Sequence, residues 1–239
     1  MKLDRFISNR TAHSRQAARL LIASGRVLVG GLATHDPRHE VDQFVAISLD
    51  GELLQAREAH FLMLHKPVGY LSATRDPQHP TVMELLPADL REHLHIGGRL
   101  DRGSSGLLIL TNDGLWSRRL TEPRIKLPKT YYVTTLRPIS PETAERFAAG
   151  IYMTTEDLTT SSAQLQQLGP CEARLTIYEG RYHQIKRMFH AVGNQVTALH
   201  RESMGDIVLD PALLPGQYRA LSAAEIASVD QPASASRSW

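Results

Sequence analysis

GRLDRGSSGLLILTNDG, residues 98–114, sets one carboxylate, Asp101, between Arg99 and Arg102, with glycines on both sides. Gly98, four intervening residues and Gly103 reproduce the glycine spacing of a phosphate-binding P-loop. That motif next requires Lys and then Ser or Thr, and Ser104 stands where the lysine belongs. An acid inside such a loop would also repel the phosphates it was meant to hold. The nucleotide cradle is therefore rejected, and the loop reads as a seat for a reactive acid. GSSG does not supply the Gly-x-Ser-x-Gly elbow of a serine hydrolase. An aspartate-nucleophile phosphatase typically carries a second aspartate two residues on, where this chain has Gly103.

Working outward, 239 residues allow one large domain or a small one followed by a medium one. The one cysteine, Cys171, closes no internal disulfide, and no signal-like or membrane-length apolar run is present, so a reducing cytosol and no membrane are expected. There is no HExxH, and a single cysteine excludes a Cys-pair zinc site; His93 and His95 read as polar strand or loop residues, and no metal is expected. The net charge of +2 hides three basic stretches. Lys2, Arg5, Arg10, Arg15, Arg19 and Arg26 stand against Asp4 alone in residues 1–35. Residues 118–137 carry Arg118, Arg119, Arg124, Lys126, Lys129 and Arg137 against Glu122. Residues 174–201 carry Arg174, Arg181, Lys186, Arg187 and Arg201 against Glu179. Each by itself reads as a solvated face, but three together suit a long polyanion better than a small ligand.

Leu3, Phe6 and Ile7 share one face of a first helix over residues 3–10. Ser14 caps a second, in which Ala18, Leu21 and Ile22 form the apolar stripe and Gly25 is the stop. RVLV and Gly30-Gly31 read as a hairpin, and FVAISL runs to another turn at Asp50-Gly51. This module ends near Leu54, and residues 55–60 are a polar linker. Beyond it, strands are predicted at residues 61–64, 107–110, 131–136, 174–178, 196–199 and 207–209. Helices are predicted after Ser140-Pro141, with the proline at the first helical position, and over about residues 182–191. Asn112-Asp113-Gly114 reads as a turn. Strands outnumber helices without alternating with them, which predicts an α+β domain with a mainly antiparallel sheet. The tail after residue 230 has too little apolar content to pack.

Four segments, HKPVGYLSA at 65–73, GRLDRGSSGLLILTNDG at 98–114, KTYYV at 129–133 and EGRYHQIKRMF at 179–189, resemble the successive motifs of the RsuA-type ribosomal RNA pseudouridine synthases. The N-terminal stretch resembles the S4 RNA-binding domain that such enzymes carry. The resemblance implies an S4-like RNA-binding domain over residues 1–57, a synthase domain with a mixed, mainly antiparallel sheet flanked by helices over 58–230, and a tail over 231–239. It implies isomerisation of a uridine to pseudouridine in RNA by a cytoplasmic, cofactor-free monomer. The closing portion is especially similar to the branch that acts on 16S rRNA of the small subunit. Alternatives are a large-subunit (23S) synthase of the same family and a noncatalytic ribosome-assembly protein built on an S4 module.

The resemblance also assigns roles. Asp101 matches the aspartate that attacks the nucleotide, a covalent catalyst that must stay ionised although enclosed. Lys186 matches its basic partner; Arg187, about 100° round a helix, faces elsewhere. Tyr131 matches the tyrosine that stacks on the uracil and takes the C5 proton, with Tyr132 on the opposite strand face. Ile185 matches the apolar wall of the base pocket, and Arg99 the residue that grips the flipped nucleotide. The hydroxyl of Ser104 is expected to fix the loop, and Arg102 is given no catalytic duty. In the S4-like domain Arg15, Arg19 and Arg26 are candidates for rRNA phosphates. The partners implied are ribosomal RNA, 16S rRNA or a small-subunit assembly intermediate.

Overall fold

The structure, a computed structural model of the chain, describes residues 1–122, 127–154 and 156–229. Arg124 and Lys126 of the second basic stretch, and the tail from residue 230, lie outside the described residues. Two compact units are formed, residues 1–59 and a second beginning at His60.

In the first unit, α1 (Leu3–Arg10) and α2 (Arg15–Ala23) accompany β1 (Val27–Val29), β2 (Leu32–Ala33), β3 (Ile47–Leu49) and β4 (Glu52–Gln55), a sheet of order β2-β1-β3-β4. The predicted stripes meet there: Leu3, Phe6 and Ile7 against Ala18, Leu21, Ile22, Val27 and Ile47. Ser14 caps α2 by accepting the Ala17 N–H at 3.2 Å. Gly30-Gly31 and Asp50-Gly51 both have positive φ at the two central residues, the backbone of a twisted two-residue hairpin turn. Asp4, buried on α1, accepts from Nε of Arg15 and of Arg19 at 2.9 Å each and so ties α2 to α1. Arg26 pairs with Asp50 across the exposed rim. The basic N-terminal stretch is thus partly neutralised by its own carboxylates.

The second unit runs through β5 (Phe61–Lys66), a 3-10 turn (Val82–Leu85), α3 (Ala88–Arg91), β6 (His95–Ile96), β7 (Ser105–Thr111), α4 (Gly114–Thr121) and β8 (Lys129–Thr135). It continues with α5 (Thr143–Ala149), β9 (Tyr152–Met153), β10 (Leu158–Thr159), β11 (Gln164–Gly169) and β12 (Glu172–Ile177). Last come α6 (Gln184–Ala191), β13 (Val196–Met204), β14 (Ile207–Val208), β15 (Tyr218–Ala220) and α7 (Ala223–Ser228). The large sheet has the order β11-β12-β8-β13-β7-β5-β15, with β14 on β13 and β6 on β7. Its pairings are antiparallel except β7 with β13. This is the expected α+β architecture with a mainly antiparallel, mixed sheet.

Both faces of the sheet are covered. Leu62, Leu64, Leu108, Leu110, Val133 and Leu175 pack on one side with Phe147, Ile185 and Phe189 of α5 and α6. Met63, Leu107 and Ile109 pack on the other with Trp116 and Leu120 of α4 and with Leu221. A strand sandwiched this way has no polar face, which is why GLLILT reads as a continuous apolar run.

Two local expectations are corrected. Asn112-Asp113-Gly114 is no free turn: Asp113 caps α4, accepting the N–H groups of Leu115 at 2.9 Å and Trp116 at 3.1 Å. A short polar residue suits a turn and a helix start equally, and the helix wins because Trp116 and Leu120, one turn apart, bury against the sheet. The chain does turn at Ser140-Pro141, but α5 starts at Thr143, whose N–H donates to the Ser140 carbonyl at 2.9 Å.

At the parallel join Arg201 of β13 lies in register with Gly106 of β7 on one side and Tyr131 of β8 on the other. A β-carbon at Gly106, which has φ +107°, would stand 2.3 Å from the Arg201 carbonyl oxygen and 2.5 Å from its nitrogen. The two backbones cross at a distance that only glycine permits. Gly106→Ala should therefore cost about 3 kcal/mol, lowering the thermal midpoint by about 6–12 °C, whereas Gly103→Ala, with open space around it, should leave the midpoint unchanged.

The Arg15 and Arg19 guanidiniums hold the Asp4 carboxyl down at about 2, below its ordinary 3.8. The native unit thus binds fewer protons than the unfolded chain between these values, so the pair's contribution is complete above about pH 4 and fades as the pH falls through about 2. Asp4→Asn should destabilise the first unit by about 2 kcal/mol at neutral pH and flatten this acid limb, both readable from hydrogen exchange of α1 and α2.

Candidate active site

The Asp101 loop joins β6 to β7 at the sheet centre, beneath the first turn of α6. Asp101 is 28% exposed; its Oδ2 lies 3.1 Å from Nζ of Lys186 and its Oδ1 3.4 Å from Nε2 of His183. Two groups from α6 and its N-terminal cap therefore flank the two oxygens of one carboxylate. His183 reaches this position because its backbone is left-handed, φ 49° and ψ 31°, at the residue that caps the helix. That conformation is costly for a side chain other than glycine and is kept where surrounding contacts enforce it. Arg187 points away, as expected, and pairs with Glu156.

The loop itself is held from below by cations. Lys66, fully buried at the end of β5, donates from Nζ to the carbonyls of Ser104 at 2.7 Å and Pro67 at 3.0 Å, and reaches that of Arg102 at 3.5 Å. Arg201, also buried, donates to the carbonyls of Leu107 at 2.8 Å, Gly98 at 3.1 Å and Arg99 at 3.3 Å. Burial lowers the pKa of Lys66 from 10.5 to about 8, with Asp101 opposing the shift and Arg201 adding to it. Burial, then Arg201, likewise brings Lys129 to about 8. From the side, Arg102 Nε donates to the Gly69 carbonyl at 3.1 Å, and the Gly69 N–H donates back to the Arg102 carbonyl at 2.9 Å. Ser72 Oγ donates to the Leu100 carbonyl at 2.8 Å.

A cleft of about 1080 Å³ opens over the carboxylate. Asp101, Lys186, Tyr131, Ile185 and Arg99, the five residues assigned to the synthase domain from sequence, all line it. Tyr131, 7% exposed, projects from the inward face of β8, and Ile185 belongs to the core beneath. Arg99 is exposed and forms no ion pair among the described residues. Besides Arg99 and Lys186 the lining includes the cations Arg102, Lys129, Arg181 and Arg201, against the acids Asp101, Glu122 and Glu179. Arg15, Arg19 and Arg26 belong to the first unit, where each is half exposed and bound to an aspartate.

Ser104 departs from expectation. Its hydroxyl is fully buried and has no hydrogen-bond partner among the described residues. Its backbone fixes the loop instead, the N–H donating to the Asp101 carbonyl at 3.0 Å and the carbonyl accepting from Lys66. Sequence reasoning gave no role to His183, Lys66 or Arg201. Lys66 carries a legible signal, since it closes the apolar strand run that begins at Phe61 and shares a strand face with Leu62 and Leu64.

A family model described as RNA pseudouridylate synthase matches residues 60–191. The chain belongs to this family. The alignment to the ribosomal small subunit pseudouridine synthase A of Pseudomonas aeruginosa is 56% identical over 230 residues, covering 96% of this chain and all of that protein. The namesake from Escherichia coli (strain K12) is 45% identical over the same coverage. A solved structure, a crystal structure of a pseudouridylate synthase, matches with a TM-score of 0.71 and 37% identity, covering 96% of this chain and 99% of that one.

In this pseudouridylate synthase, Lys66→Met should leave the loop carbonyls without their buried donor and lower kcat about 10–100-fold, with a smaller effect on KM. The same change should alter the stability profile. Below about pH 8 Lys66 is protonated in both states and burial of its charge is felt in full; between pH 8 and 10.5 the folded chain has released a proton that the unfolded chain retains. Stability from this group therefore rises with pH across that window, and denaturant titrations of Lys66→Met should show a shallower rise.

Proposed function

We propose that this chain converts a uridine of 16S rRNA to pseudouridine, working in the cytoplasm on the RNA or on a small-subunit assembly intermediate. The observation that carries the reading is the carboxylate of Asp101, paired with Lys186 at 3.1 Å at the floor of a basic cleft. The full-length similarity to small-subunit synthases supports 16S over 23S rRNA as the substrate.

Asp101 bonds to the target nucleotide after the base is flipped out, and the N1–C1′ bond breaks. The uracil turns, C5 bonds to C1′, the C5 proton leaves and N1 gains a proton. The aspartate is released, the product is an isomer, and no electron acceptor is consumed. Lys186 gives the carboxylate a counter-charge: two charges near 3 Å attract by about 5 kcal/mol at an effective dielectric of about 20, before desolvation. Tyr131 stacks on the uracil and receives the C5 proton. Arg99 grips the flipped nucleotide's backbone, and Ile185 walls the base pocket. Flipping costs a few kcal/mol, which stacking and phosphate contacts offset.

The first unit serves as an S4-like RNA-binding domain that raises the effective concentration of rRNA at the cleft. Since Arg15, Arg19 and Arg26 are bound to aspartates, their outward N–H groups supplement the exposed Lys2, Arg5 and Arg10 in meeting phosphates.

Mapping pseudouridines in rRNA from cells with and without the gene should show one site missing from 16S rRNA; a loss confined to 23S rRNA would overturn the substrate assignment. Asp101→Asn should abolish product while leaving RNA affinity nearly intact, and unchanged product would refute the catalytic assignment. Lys186→Met should lower kcat about 10–100-fold, with Arg187→Ala reducing it only a few-fold.

A further inference from the structure

Tyr182 stands out among the aromatic side chains of the second unit. It is 76% exposed, in the turn just ahead of α6, and it lines the cleft. Its ring lies flat on the imidazole of His183, centroids 3.9 Å apart and planes 16° from parallel. His183 is in turn 3.4 Å from the carboxylate of Asp101. The tyrosine is thus held as an oriented plate, with one face on the imidazole and the other open to solvent. It covers the imidazole whose Nε2 faces the nucleophile.

We propose that the open face of Tyr182 is a stacking site for a nucleobase of the RNA strand next to the target uridine. The proposal rests on the reading above, in which the cleft receives RNA, and adds a second base site to it. Several observations select a base as the occupant. Tyr131 is the buried aromatic at the depth of the reacting uracil, whereas Tyr182 is far more exposed, so one base cannot use both in the same way. The cleft volume of about 1080 Å³ is at the upper end of what encloses a whole drug-sized ligand, so it has room for more than one nucleotide. Its excess of arginine and lysine matches a phosphodiester strand rather than a neutral apolar partner. A preset planar ring pairs with any base through its π face and loses little conformational freedom in doing so.

The test uses the full chain and 16S rRNA isolated from cells lacking the gene, with dissociation constants taken across a salt series and kcat and KM from pseudouridine formation. Tyr182→Phe and Tyr182→Trp should stay within two-fold of the parent in both. Tyr182→Leu and Tyr182→Ala should weaken binding about ten-fold, raise KM in step, change kcat less than three-fold and leave the thermal midpoint in place. The salt slope should be unchanged, since no phosphate contact is removed, whereas Arg99→Ala should lower it. Tyr182→Leu binding as tightly as the parent would overturn the proposal, leaving the ring as a cover for His183. A fall in kcat at constant KM would overturn it as well, since the ring would then act through His183 on Asp101. If the parent forms no pseudouridine yet its RNA binding still depends on an aromatic at position 182, the functional reading fails and the stacking site stands.

Discussion

A loop with glycine at positions 97, 98 and 103 has many conformations open to it, and a nucleophile on such a loop reacts only as often as it is in place. Here the restraint comes from two cations buried under the backbone, Lys66 and Arg201, which donate to loop carbonyls rather than to carboxylates. Four contacts to loop carbonyls, those of Gly98, Arg99, Arg102 and Ser104, leave the loop little freedom. A buried charge without a counterion is unfavourable unless its hydrogen bonds are met. The lowered pKa of Lys66 records that tension.

The local punctuation of the fold was legible because it depends on residue chemistry alone. Consecutive positive-φ residues at Gly30-Gly31 and Asp50-Gly51 announce hairpins, and Ser14 announces a helix, whatever the rest of the chain does. The α4 helix was not legible at Asn112-Asp113-Gly114, since the decision between turn and cap was taken by Trp116 and Leu120 finding the far face of the sheet. Strands were found where apolar residues recur and missed where they do not. QLQQLG of β11 forms an outer strand with little to bury, and nothing in its pattern points to pairing with β12.

The site divides in the same way. Asp101, Tyr131, Ile185 and Lys186 were identified by motif, and the cleft brings them together with Arg99. His183 was missed because its approach to Asp101 depends on a left-handed backbone that histidine adopts only under compulsion. Counting charges misled in one respect: Arg174, Arg181 and Arg187 are matched by Glu202, Glu179 and Glu156. Glu202 and Glu156 lie outside the 174–201 stretch over which the charges were counted, whereas Glu179 lies inside it. The basic surface left for RNA is smaller than the composition suggests.

The parallel join of β7 with β13 also bears on how the protein comes into being on the ribosome. Arg201 clasps the Leu107 carbonyl from 94 residues downstream, and Lys186 arrives only slightly sooner. A nascent chain that has already extruded Asp101 therefore lacks both its underlying clamp and its counter-charge. The first unit, whose contacts are local, has everything it needs to fold long before. Chemical competence is consequently deferred until almost the whole polypeptide has been made, so that a truncated translation product ending before β13 would carry the acid without the means to use it.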